Sequence, residues 1–109
     1  MKLRIITIAV LVLLGPACQD QRSALSIINS SGDKISNVQI SDRERSWLLG
    51  SIKYKEKKRF SEKLKGEGGL YVTWVYKNRK YKDIGCYYTS GINVDGTVFI
   101  YGKSAEWRC

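Results

Sequence analysis

Short segments of alternating apolar and polar residues, separated by turn residues, constrain the fold of this chain most. The clearest segment is 70–77 (LYVTWVYK), in which β-branched and aromatic residues predominate. Residues 24–29 and 35–41 form two further segments on either side of a turn signal at 30–33. Six or seven such strands, with turns about every 8 to 12 residues, predict an all-β fold, either an antiparallel sandwich or a small barrel.

The alternation also predicts which side chains face the core, because successive residues of a strand point to opposite faces of the sheet. In the first segment, Leu25 and Ile27 lie on one face and Ile28 on the other. The expected inward residues of the two other segments are Val38, Ile40, Leu70, Val72, Trp74 and Tyr76.

The basic stretch 53–65 fits two structures. As a strand, it alternates Phe60 and Leu64 against polar neighbours, after a turn near 54–56. As a helix, it gathers its apolar residues on one stripe and ends at Gly66, in agreement with the helix propensity of Lys and Glu. The strand is favoured, with an α+β fold carrying a basic helix around 53–65 as the alternative.

Residues 1–17 have the order of an export signal. Two basic residues are followed by the uncharged stretch 5–14 and then by Gly15, Pro16 and Ala17. The apolar stretch is about half of the roughly 20 residues that a membrane-spanning helix requires. We therefore predict a signal peptide at 1–17, a polar tether at 18–23 and one domain at 24–109.

The junction at Cys18 is compatible with two processing enzymes. Small residues at Gly15 and Ala17 suit an ordinary signal peptidase, whereas Ala17-Cys18 resembles the lipobox of bacterial lipoproteins, in which the cysteine is lipidated. Gly15 departs from the Leu-like residue usual in a lipobox. The three cysteines favour lipidation, because a lipidated Cys18 leaves Cys86 and Cys109 to pair. That disulfide would close a loop of about 24 residues, worth on the order of 3 kcal/mol.

Several motifs of the domain resemble small predicted bacterial lipoproteins with an immunoglobulin-like β-sandwich. They are 28–32 (INSSG), the apolar positions after it, 50–52 (GSI), Gly85 with Tyr88, and 96–100 (GTVFI). The resemblance covers most of the chain after the signal and implies an immunoglobulin-like sandwich. It supplies no catalytic or binding residues.

Positive charge dominates the chain, which has 19 Lys and Arg against 10 Asp and Glu. A basic protein outside the cytoplasm can bind an acidic protein, anionic lipid or an anionic glycan, and export makes nucleic acid an unexpected partner. The segments 53–65, 78–82 and 87–95 are the expected ligand-facing parts. The candidate binding residues are Lys53, Lys55, Lys57, Lys58, Arg59, Arg79, Lys80, Tyr87 and Tyr88.

Catalysis is not expected from this sequence. The chain contains no His, which excludes Ser-His and Cys-His nucleophiles, and it has no CxxC motif that would predict a metal site. The acid pairs Asp42 with Glu44 and Glu62 with Glu67 lie in charged stretches and are expected to be solvated. No cofactor is expected.

The sequence therefore predicts a non-enzymatic envelope lipoprotein that acts as a binding module, anchored through Cys18. Gln19, rather than Asp, follows the cysteine, and by resemblance to known lipoproteins this implies sorting to the outer membrane, with the domain facing the periplasm. One alternative is a soluble periplasmic or secreted basic protein of inhibitor or immunity type. Another is a peripheral protein that binds anionic membrane or glycan through the 53–65 run.

Overall fold

The structure is a computed structural model, and it describes residues 22–89 and 92–109. The predicted signal peptide, Cys18 and most of the tether lie outside these residues. The described chain forms strands and turns without a helix, which confirms the predicted all-β fold. The strands are β1 (Ser23–Asn29), β2 (Ile35–Ser41), β3 (Ser46–Ile52), β4 (Lys57–Glu62), β5 (Gly68–Tyr76), β6 (Arg79–Tyr88), β7 (Asp95–Ile100) and β8 (Ala105–Arg108).

The eight strands form a sandwich of two four-stranded sheets. Sheet A has the order β4-β1-β7-β8, and sheet B has the order β3-β2-β5-β6. All pairs are antiparallel except β1 with β7, which run parallel with Ile27 opposite Val98. This pair departs from the predicted antiparallel arrangement. Its strands are distant in sequence, so no hairpin motif in the sequence could predict that they pair.

The core lies between the two inner faces and follows the predicted alternation. Five of the six residues predicted to face inward, from Val38 to Trp74, are completely buried, and so are Leu25 and Ile27 of β1. Tyr76 is half-buried and packs against this core. The closing strand adds Val98 and Ile100, which are also fully buried.

The ambiguous 53–65 stretch is a turn, a strand and a loop, so the helical alternative is not realised. A backbone hydrogen bond from Glu56 N to Lys53 O closes the turn. In β4, Phe60 lies opposite Leu25 of β1, and its buried ring meets Trp47 edge-on at 5.1 Å between centroids. Burial of this ring by strand pairing outweighs the helix propensity of the neighbouring Lys and Glu residues.

The C-terminal residues add an eighth strand, one more than predicted. The predicted tail from Lys103 folds back and pairs with β7 as β8. Cys109, which follows it, forms a disulfide with Cys86 of β6, with 5.9 Å between their Cα atoms. The predicted pairing of these two cysteines is therefore present, and it joins the two sheets.

Trp107 of β8 packs directly over Gly85 of β6. A Cβ atom at Gly85 would overlap the indole ring, with its nearest ring atom 1.8 Å away. The close approach of β8 to sheet B therefore requires glycine at this position.

We expect Gly85→Ala to lower the free energy of unfolding by about 1–3 kcal/mol, because the added methyl group must displace Trp107. Gly69→Ala is the matched control, since a Cβ at Gly69 meets nothing within 4 Å. Urea unfolding of both variants measures the difference. Equal stability of the two variants would contradict the packing of Trp107 on Gly85.

Candidate functional site

Successive strands run in opposite directions, so their connections gather at two ends of the sandwich. The distal end consists of the loops 30–34, 53–56, 77–78 and 101–104 with the first residues of β4 and β6. The proximal end consists of the loops 42–45 and 63–67 and the described parts of the β6–β7 connection, together with Ser23 and Cys109. The chain from Cys18 enters at the proximal end.

The distal end carries most of the excess positive charge of the domain. Two acidic residues, Asp33 and Glu56, accompany eight basic ones, and all ten are exposed. None of the eight takes part in a salt bridge within residues 22–89 and 92–109. The basic residues are Lys34, Lys53, Lys55, Lys57, Lys77, Arg79, Lys80 and Lys103.

Asn29, the last residue of β1, holds the loops of the distal end together. Its buried side chain donates hydrogen bonds from Nδ2 to Asp33 O at 2.7 Å and to Ile52 O at 2.8 Å. Its Oδ1 accepts from the Ser31 N–H at 2.9 Å, and its backbone O accepts from Lys55 N. The side-chain amide of Asn29 thus connects the loop 30–34 with the end of β3, and its backbone groups hold the turn 53–56.

Two distal lysines occupy left-handed backbone conformations. Lys55 has φ 70°, at the third position of the 53–56 turn, where Gly or Asn is usual. Lys77 has φ 49° and Asn78 has φ 65°, which is the signature of a type I′ hairpin turn that favours Asn-Gly. Lys therefore stands at two positions where another residue would suit the backbone better.

Tyrosine rings lie beside these lysines. The Nζ atoms of Lys55 and Lys77 lie 5.4 Å and 5.3 Å from the ring centroids of Tyr54 and Tyr76. Tyr54 is 49% exposed, and Tyr101, in the β7–β8 turn, is 46% exposed. The distal end therefore combines exposed cations with accessible aromatic faces.

Five of the nine predicted binding residues meet at this end: Lys53, Lys55, Lys57, Arg79 and Lys80. The linear run 53–65 is divided, since β4 carries its later residues toward the proximal end, where Lys63 and Lys65 lie. The distal lysines 34, 77 and 103 were not among the predicted binding residues. Lys34 and Lys103 are isolated in sequence, and their position next to turns is the only local signal for them.

Two other predicted residues, Lys58 and Arg59, lie along β4 away from the distal loops. The Nζ of Lys58 donates a hydrogen bond to Leu49 O of β3 at 2.8 Å. Its ammonium group therefore links sheet A to sheet B through this hydrogen bond. Arg59 lies opposite Ser26 on the exposed face of sheet A.

Tyr87 and Tyr88 lie at the proximal end, and the predicted loop 87–95 begins two residues late because β6 continues through Tyr88. Tyr87 is 64% exposed, whereas Tyr88 is only 5% exposed, which corrects the expectation that it points outward. A register shift between the Gly69 and Tyr71 pairs of the β5–β6 ladder precedes Tyr88. The Tyr88 hydroxyl donates a hydrogen bond to Asp42 Oδ2 at 3.1 Å.

Asp42 is buried at 4% exposure, so the expectation that it is solvated was wrong. Its Oδ1 accepts hydrogen bonds from the N–H groups of Glu44 and Arg45, and its Oδ2 also meets the Arg45 guanidinium at 3.3 Å. Together with Tyr88 these residues line a cleft of about 410 Å³, completed by Arg43, Lys65, Gly66 and Glu67.

The cleft holds a perturbed carboxyl. Burial on its own raises the pKa of Asp42, but the two backbone N–H groups, the Tyr88 hydroxyl and the Arg45 charge outweigh it, so the pKa lies below its ordinary value of 3.8. The same burial, with the nearby Asp42 charge, raises the pKa of Tyr88. Every oxygen of Asp42 is thus engaged by its own domain, which indicates a structural role.

Within the described residues, no helix is long and apolar enough to cross a membrane. The same residues contain no group of three or more His, Cys, Asp or Glu side chains placed to hold a metal ion.

Comparison with known proteins extends the description of the fold. No family model matches the chain, and no curated protein matches it. A protein from Eubacterium rectale, solved by NMR, is similar in structure with a TM-score of 0.61 at 15% identity, over 83% of this chain and 93% of that one. At this identity the likeness shows the fold alone.

We expect Asn29→Ala to lower the free energy of unfolding by about 2–3 kcal/mol, because it leaves buried carbonyl groups of the distal end without donors. Ser31→Ala removes the hydroxyl that bonds Asn29 Oδ1 nearer the solvent, and it is expected to lower the free energy of unfolding by about 0.5–1.5 kcal/mol. Urea unfolding compares the two. An Asn29→Ala variant as stable as the wild type would contradict the connecting role of this amide.

The lowered pKa of Asp42 predicts a stability change in acid. A carboxyl whose pKa is depressed on folding stabilises the folded state above its unfolded pKa, and this contribution is lost as the pH falls through the folded pKa. The free energy of unfolding of the wild type should therefore decrease below about pH 4. In Asp42→Asn this decrease should be smaller, whereas Asp33→Asn, at an exposed carboxyl, should follow the wild type. Parallel acid profiles for all three proteins would contradict the prediction.

Proposed function

We propose that this protein is a non-enzymatic binding module of the bacterial cell envelope, anchored through a lipidated Cys18 and binding an anionic partner at the distal end. The observation that carries the proposal is the separation of the two ends. Ser23, the first residue of β1, lies at the end nearer Cys18 in the chain. The eight exposed basic residues, which form no salt bridge within residues 22–89 and 92–109, lie where β1 ends, at the opposite side of the sandwich. An anchor at one end and a charged surface at the other suit a protein that presents a binding surface away from its attachment.

The construction of the distal end supports this assignment. Its loops are short, and Asn29 connects three of its segments by hydrogen bonds. Cations on a rigid support attract anions without first ordering the chain, which reduces the entropic cost of binding. The disulfide between Cys86 and Cys109 accounts for two of the three cysteines, which supports the use of Cys18 as the anchor.

Metabolic labelling with a fatty-acid analogue tests the anchor. The wild-type protein should carry label and sediment with membranes, and its intact mass should correspond to a mature chain that begins at lipidated Cys18. Cys18→Ser should carry no label, because it lacks the thiol that receives the lipid.

The matched control is Cys86→Ser with Cys109→Ser, which keeps Cys18 and should still be labelled. Label on Cys18→Ser, or an unlipidated wild-type protein in the soluble fraction, would overturn the anchored assignment. The soluble result would favour the free periplasmic or secreted alternative.

A further inference from the structure

We infer that the partner of the distal end is an extended anionic polymer, bearing carboxylate or phosphate groups, that lies on the side of the domain remote from the anchoring membrane. This inference rests on the proposed function and adds the class of partner and its place. Three observations carry it: the length of the tether, the shape of the distal end and the kind of cations on it.

The tether is too short for the distal end to turn toward the anchoring membrane. Five residue steps join Cys18 to Ser23, and at full extension they reach at most about 18 Å. The six residue steps from Ser23 to Asn29 in β1 span about 20 Å, and the distal loops extend beyond Asn29. A tether of this reach cannot invert the domain so that the distal end rests on the membrane that would hold Cys18 with the proximal end above it. We therefore place the partner on the side of the domain remote from that membrane.

The distal end also lacks a converging arrangement of cations. The cleft beside Asp42 lies at the proximal end, between the loops 42–45 and 63–67. The distal cations are instead distributed over four loops and two strands. In sheet B, β3 leads into the turn 53–56 and β6 begins at Arg79. These two strands are three strand spacings apart, or about 14 Å, which sets the distance between the cations beside them. Such spacing matches repeated charges along a polymer better than one small anion.

Lysine predominates among these cations, and this composition favours a polymer over a folded acidic protein as the partner. Seven of the eight basic residues are Lys, and Arg79 is the exception. Protein–protein interfaces favour Arg and are depleted in Lys, since the guanidinium forms planar, bidentate contacts. Flexible ammonium groups attract a polyanion as point charges and do not require a fixed geometry. The exposed rings of Tyr54 and Tyr101 add flat surfaces between these charges.

Lys55 and Lys77, whose backbone lies in the left-handed region, allow a test in which affinity for the polymer falls while thermal stability is kept or rises. The distal variant combines Lys55→Gly, Lys77→Asn and Lys80→Gln. The first two substitutions place residues that suit the backbone at φ 70° and φ 49°, so the variant should unfold at the same temperature as the wild type or higher. The proximal variant combines Arg43→Gln, Lys63→Gln and Lys65→Gln, and it removes the same charge from the other end.

Binding of both variants and the wild type is measured by titration calorimetry at low salt. The probes are polygalacturonate for carboxylate, inorganic polyphosphate for phosphate, the monomers galacturonate and phosphate, a folded acidic protein, and vesicles containing anionic phospholipid. The wild type should bind at least one polymer, with an affinity that falls as salt rises. The distal variant should bind that polymer about tenfold or more weakly, and the proximal variant should lose less than threefold.

Several results would overturn the inference. They are equal losses in the two variants, a monomer that binds as tightly as its polymer, and tighter binding of the acidic protein or of the vesicles than of either polymer. A wild type that binds neither polymer would also overturn it. That result leaves the lipid anchor standing, because labelling of Cys18 tests the anchor independently.

Discussion

Within residues 22–89 and 92–109 the two sheets share no backbone ladder, so their lateral edges are joined in another way. An inward-pointing charged residue closes each edge. Lys58 of β4 donates to Leu49 O of β3 on one side, and Asp83 of β6 accepts from Ala105 N of β8 at 2.9 Å on the other. Charges placed in this way also occupy strand edges that could otherwise pair with another chain. The disulfide strengthens the second edge, where β8 is only four residues long.

These edge contacts determine which lysines remain available for binding. Lys58 belongs to the same linear run as its neighbours, yet its ammonium group is used inside the molecule. The residues beside it, Lys57 and Arg59, point outward. Because side chains of a strand alternate between its two faces, this one basic segment both joins the two sheets, through Lys58, and adds surface charge, through Lys57 and Arg59. A count of charges along the sequence cannot separate these two uses.

The predictable part of this structure is the part encoded by neighbouring residues. Alternation located the strands and the inner face of 70–76, because period-two patterns depend on positions two apart. The parallel pairing of β1 with β7 depends on strands more than sixty residues apart and has no such local pattern. Asp42 was expected to be solvated for the same reason. Its partner Tyr88 is 46 residues away, and only the folded chain brings the two together.

The candidate site shows the same division between local and distant information. Lys53, Lys55 and Lys57 are close in sequence, so their proximity could be expected, whereas Lys34 and Lys103 join them through the connectivity of the strands. The alternating strand directions send every second connection to the same end. Positive charge that is scattered through the sequence thereby becomes one surface, and its extent is visible only once the order of the strands is known.

The distal lysines carry two costs that the described domain does not offset. A left-handed conformation of an L-residue costs about 1–2 kcal/mol, and Lys55 and Lys77 both adopt one. Eight like charges near one end also repel each other, and no salt bridge within the described chain neutralises them. The contacts with Tyr54 and Tyr76 return only part of this energy, since exposed cation–π pairs are worth about 0.5–1 kcal/mol. A basic surface that opposes the stability of its own fold supports the proposal that it binds an anionic partner.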